Sequence, residues 1–103
     1  MIREEQITCV FAVIQGFTTW PRKIITSNSQ GSSFVRCRTY AAVLMYEELD
    51  LTYQEIAVEL ELDSHSTVMD LVKNARRLKH MGGELELLKV RLAERLAPEE
   101  LVI

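Results

Sequence analysis

His65, Ser66 and Thr67 are consecutive side chains that donate and accept hydrogen bonds, and they follow Asp63-Ser64, a pair with helix N-capping chemistry. From there the chain becomes periodic. At about 100° per residue, Val68, Leu71, Val72, Ala75 and Leu78 share one side of a helix, while Ser66, Asp70, Lys73 and Arg77 share the other. A helix with an apolar back and a small, polar, partly basic front is a shape that a DNA major groove admits. There a threonine methyl can meet a thymine methyl, the hydroxyls of Ser66 and Thr67 can donate or accept, and His65 can bond a base or a phosphate. Lys73, Arg76 and Arg77 lie further along, where they can reach phosphates. Asp70, on the same face, would meet phosphate repulsion or accept from a cytosine amino group. His65 alone could be a helix-start residue with no role; Ser66 and Thr67 behind it favour function.

The elements that must position this run can be read outward from it. Thr52-Tyr53-Gln54-Glu55 has capping-box spacing and opens a short helix with Ile56, Ala57 and Leu60 on one side. Leu60-Glu61-Leu62-Asp63 is then the turn of a helix-turn-helix spanning about 52–80, made without the glycine such turns often contain. Upstream, Ile7, Val10, Phe11 and Ile14 predict a helix from Glu4 to about Gly16, with Gly16 as its C-cap. Thr18-Thr19-Trp20-Pro21 begins a single turn, Arg22 to Ile25, with Trp20 and Ile24 expected in the core rather than as a stacking platform. Thr26 to Ser33 is a polar, uncharged loop.

Phe34 to Leu49 predicts the long central helix, buried along Cys37, Tyr40, Ala41, Leu44, Met45 and Leu49. Arg36 and Arg38 fall in its first turn, where the helix dipole disfavours cations. A phosphate held there by guanidinium and backbone amides would account for them; the alternative is solvated surface arginines. Met81-Gly82-Gly83 is expected to stop the recognition helix. A last helix, Glu84 to Ala97, carries Leu85, Leu88, Leu92 and Leu96, and Pro98 ends it. That stripe packs either on the domain or against another chain; with about two heptads, self-packing is favoured. The expected architecture is all-α, five to six helices, with a DNA-binding domain at 1–80 and an amphipathic helix and tail at 81–103.

At Asp63 to Val68 the chain resembles a known family. His65-Ser66-Thr67-Val68, with Glu55-Ile56 in the helix before it, is similar to the signature of the C-terminal DNA-binding domain of the bacterial replication initiator DnaA. In that domain a His-Thr/Ser-Thr-Val run opens the recognition helix. Arg36-Cys37-Arg38 leading into Tyr40 to Leu49 matches the preceding helix in kind, and the likeness covers roughly residues 5–80. The resemblance implies a Trp-repressor-like helix-turn-helix that binds double-stranded DNA in replication initiation or transcription regulation. It implies base reading by His65, Ser66 and Thr67. It also implies backbone contacts at Thr52 and Tyr53 and at the turn holding Arg36 and Arg38. The chain departs from the family in its uncharged loop, where Asn28, Gln30 and Gly31 replace the basic residues that supply a minor-groove arginine. Cys37 stands for a usual proline, Ser64 for an acidic residue, and the glycines of the turn are missing.

Length and composition set the outer bounds. With 103 residues, one domain with a modest core is expected. No apolar run approaches the roughly 18 residues a membrane helix needs. The acidic, amphipathic N-terminus is unlike a signal peptide, so a cytoplasmic, nucleoid-associated protein is expected. Cys9 and Cys37 are far apart with no metal-ligand spacing, so they read as small hydrophobes, and neither metal nor cofactor is expected. Net charge is −3, which disfavours indiscriminate nucleic-acid binding, yet Lys73, Arg76, Arg77 and Lys79 form a basic block within 64–80. No glycine-rich phosphate loop or nucleophile elbow occurs, so neither an enzyme nor a small-molecule substrate is expected. The competing class is a protein–protein interaction module on an inherited helix-turn-helix scaffold, with weak or no DNA binding. It would use the acidic face of Glu55, Glu59 and Glu61 or the leucine stripe at 84–97, which could equally pair two copies into a homodimer.

Overall fold

The computed structural model describes residues 2–18, 21–26, 32–77 and 79–96, with side chains described except at 24, 32, 33, 76, 77 and 79–82. The described chain is all-α. Its helices are α1 (Arg3–Thr18), α2 (Arg22–Ile25), α3 (Ser32–Glu48), α4 (Tyr53–Glu59), α5 (His65–Arg77) and α6 (Lys79–Leu96), and no described residue is in a strand.

The fold is organised by α3, which packs against every other helix. Every residue from Cys37 to Met45 is buried, because a helix with neighbours on all sides has no solvent face to keep polar. The expected one-sided stripe is therefore too narrow: Arg38, Thr39, Ala42 and Val43 are buried as well. The polar members stay satisfied locally. Thr39 Oγ1 donates to the Val35 carbonyl at 2.7 Å, and Arg38 Nε to the Phe34 carbonyl at 3.3 Å. The helix also starts at Ser32, two residues before the expected Phe34, and ends at Glu48 rather than Leu49. Arg36 and Arg38 thus sit in its second turn.

Glycine punctuation proved misleading twice. Gly16 lies inside α1, which runs on to Thr18, whose hydroxyl donates back to the Ile14 carbonyl at 2.8 Å. Likewise α5 ends at Arg77, and Gly82 and Gly83 fall within α6 instead of stopping a helix. Neither Gly16 nor Gly83 has a positive φ, and a Cβ at either would meet nothing within 4 Å. A glycine costs a helix only about 1 kcal/mol. Burial of Leu85, Leu88 and Leu92, at about 1.5–3 kcal/mol per leucine, outweighs it.

The leucine stripe is used within the chain. Leu88 and Leu92 are fully buried, Leu96 packs on the core, and α6 rests on α1, α3 and α5. A division at 80/81 would cut inside α6. Of the two uses the sequence left open for the stripe, packing on the domain and pairing with another chain, the fold takes the first for Leu85, Leu88 and Leu92. Two ion pairs add to this attachment: Lys89 Nζ to Glu47 Oε1 at 2.8 Å, and Arg36 to Glu84. Of the residues expected around α2, Ile25 is fully buried, while Trp20 and the Ile24 side chain lie outside the described residues, as do Asn28, Gln30 and Gly31 of the loop and the tail at 97–103. No helix among the described residues is long and apolar enough to cross a membrane.

Candidate nucleic-acid interface

The segment from Leu51 to Arg77 is assembled by local hydrogen bonds at each of its joints. At the start of α4, Thr52 has extended backbone (φ −74°, ψ 161°); its Oγ1 accepts from the Glu55 amide at 3.1 Å, and the Thr52 amide donates to Glu55 Oε1 at 3.0 Å. The expected capping box is complete. Those bonds from Thr52 hold the Glu55 carboxyl below its usual range. Tyr53 stacks on Tyr46 of α3, ring centroids 4.8 Å apart and nearly parallel. The same side chains fasten α4 to the central helix.

The turn closes without glycine. The Leu62 amide donates to the Ala57 carbonyl at 2.8 Å and the Glu61 amide to the Val58 carbonyl at 3.2 Å, the paired bonds of a Schellman motif. That motif requires a left-handed residue after the C-cap, and Glu61 fills the position with φ 55°. Ser64 then caps α5: its Oγ accepts from the Ser66 amide at 3.0 Å, and its carbonyl from the Thr67 amide at 3.2 Å.

Capped in this way, α5 presents two unlike faces. Val68, Val72 and Ala75 are buried and Leu71 packs against the core, as the periodicity indicated. His65, Ser66, Thr67, Asp70, Lys73 and Asn74 are exposed. Among the described residues, none of these six side chains has a hydrogen bond or an ion pair. Asn74 was overlooked in the sequence, although it follows Asp70 by four residues and so shares its face. The Arg76 and Arg77 side chains lie outside the described residues.

Two phosphate-contact expectations are corrected. Arg38 is only 6 % exposed, enclosed because α3 is covered on all sides, and cannot meet a phosphate there. Arg36 is half-exposed but engaged: Nε donates to the Tyr40 hydroxyl at 3.0 Å and Nη2 to Glu84 Oε1. The second oxygen of Glu84 is buried with no hydrogen-bond partner among the described residues, so Arg36 is the charge that compensates this carboxylate. Thr52 and Tyr53 lie at the surface and half-buried, their polar and aromatic groups serving the cap and the stack.

Burial pushes the Cys37 thiol up, against the opposing pull of a Thr18 hydrogen bond and the Arg36 and Arg38 charges, so it stays protonated and a poor nucleophile. No described group of three or more His, Cys, Asp or Glu side chains could hold a metal ion. Compared with protein-family models, with curated proteins and with solved structures, the chain finds no match.

Proposed function

We propose that this chain is a sequence-preferring double-stranded DNA-binding module of the helix-turn-helix kind, with α4 and α5 as its two helices and α5 entering the major groove. In this reading His65, Ser66 and Thr67 touch base edges, while Lys73, with Arg76 and Arg77, holds phosphates. A role in replication initiation or transcription regulation, in the manner of DnaA, belongs to the same proposal and rests on the motif residues themselves. The observation that carries it is the N-terminal turn of α5: three exposed hydrogen-bonding side chains without partners among the described residues, on a helix whose back is locked by Val68, Val72 and Ala75. Such a turn can enter a groove without unpacking the core.

A titration against a DnaA-box-like duplex and a random duplex tests the reading. His65→Ala or Thr67→Ala is expected to weaken binding to the preferred site by about 1–3 kcal/mol and to leave random DNA nearly unchanged. An unaltered ratio in folded variants would remove base readout by this run. A second reading, the protein-interaction module, is favoured by Val58, 73 % exposed on α4 among Gln54, Glu55 and Glu61. Absence of binding to either duplex at low salt would bring that reading forward.

A further inference from the structure

Asp70 is the residue of α5 that a phosphate-binding surface alone does not explain. Taking about 100° per residue, its side chain departs within about 15° of the direction opposite the buried Val68, Val72 and Ala75. It therefore occupies the middle of the outward face, with Ser66 and Lys73 to one side and Asn74 and Thr67 to the other. It is exposed and, among the described residues, neither Lys73 nor Asn74 nor any other side chain bonds to it. No described residue uses the carboxylate, and on a surface that approaches phosphates it is repelled.

Resting on the DNA-binding reading, we propose that Asp70 is a specificity-determining residue that selects a cytosine in the target site. A carboxylate only accepts hydrogen bonds. Along the major-groove edge, guanine offers two acceptors and thymine one, so both repel it. Adenine offers a donor, N6, beside an acceptor, N7, and the acceptor opposes the second carboxylate oxygen. Cytosine alone presents the N4 donor with no acceptor next to it. A centrally placed Asp70 thus accepts from cytosine and discriminates against the other three bases. Asp70 lies four residues beyond Ser66, about 6 Å along the helix axis.

The test is selection of binding sites from a randomised duplex library by the full chain and by its Asp70→Asn and Asp70→Ala variants. The wild type is expected to enrich a site with one cytosine column. Asp70→Asn is expected to shift that column toward adenine, which asparagine meets at N6 and N7 together, and Asp70→Ala to lose preference in that column only. From the DNA side, changing that cytosine to thymine in the selected duplex is expected to weaken the wild type roughly 5- to 100-fold and Asp70→Ala hardly at all. Thermal unfolding confirms that the variants are folded, as the exposure of Asp70 leads one to expect. A wild-type site whose every column is unchanged in Asp70→Ala would overturn the cytosine assignment and leave DNA binding standing. If the wild type enriches no site and binds no duplex, the DNA-binding reading itself falls, and this inference with it.

Discussion

At the scale of single residues, Glu55 has a measurable signature independent of any ligand. Its carboxylate accepts the Thr52 amide at 3.0 Å, a bond that its ionised form makes best, and its pKa is lowered accordingly. For a carboxyl whose folded pKa lies below the unfolded one, the contribution to stability is present above the unfolded value. It is lost as pH falls through the folded value. The helix start is therefore expected to weaken as pH falls from the usual glutamate range through the lowered folded value. Glu55→Gln should flatten the acid limb of stability against pH in urea melts recorded from neutral to acidic pH. If the variant and the wild type lose stability in parallel, the capping box is not the acid-sensitive contact. Thr52→Ala removes the other half of the box and is expected to cost about 1 kcal/mol at neutral pH.

At the scale of elements, two positions in α4–α6 sit in conformations that their residues do not prefer. Glu61 is left-handed (φ 55°), exposed, and an anion at the C-terminal end of α4. Relief of about 1–2 kcal/mol of left-handed strain, less about 0.5–1 for the freedom glycine loses on folding, gives Glu61→Gly a net gain of up to about 1.5 kcal/mol. Glu61→Ala keeps the strain and should show no such gain. A stability no higher in the glycine variant than in the alanine variant would contradict the turn geometry. The reverse substitution applies in α6: Gly83 is helical with open space at its Cβ, so Gly83→Ala is expected to stabilise by about 0.5–1 kcal/mol. Destabilisation there, read as a lowered denaturant midpoint, would mean that the helix breaks at the glycine pair after all.

For the whole molecule, charge placement sets what the proposed DNA binding would look like in solution. The net charge is −3, Arg38 is buried, and Arg36 is paired with Glu84. The described cation on the exposed face of α5 is Lys73, and the sequence adds Arg76, Arg77 and Lys79 after it. With about 0.9 per phosphate contact, log affinity against log salt is expected to fall with a slope no steeper than about −4. Lys73→Ala should reduce that slope by about one and weaken preferred and random duplexes alike. A slope near −10 would show that the basic surface lies elsewhere on the chain. On the proposed DNA-binding reading, the acidic remainder is expected to make association slower than for a basic domain.

The amino-acid sequence by itself determined what short-range geometry controls. Thr52 with Glu55, and Ser64 with Ser66, meet across two or three residues, so their bonds follow from spacing alone. The apolar back and polar front of α5 follow from its helical period, which placed Ser66, Asp70 and Lys73 outward and Val68 and Val72 inward, while His65 is exposed as the first residue of the helix. What the tertiary structure decided are the matters settled by distant partners. Arg36 and Arg38 read as free cations until Glu84, 48 residues from Arg36, paired the first and the helices packed around α3 buried the second. Gly16 and Gly83 read as stops because a glycine's local preference is visible in sequence. The burial that overrides it, Ile14 beside the one and Leu85 and Leu88 beside the other, depends on how α1 and α6 lie against each other. Local hydrogen bonds are written in neighbouring residues, whereas the fate of a charge or a glycine depends on which surfaces the folded chain brings against it.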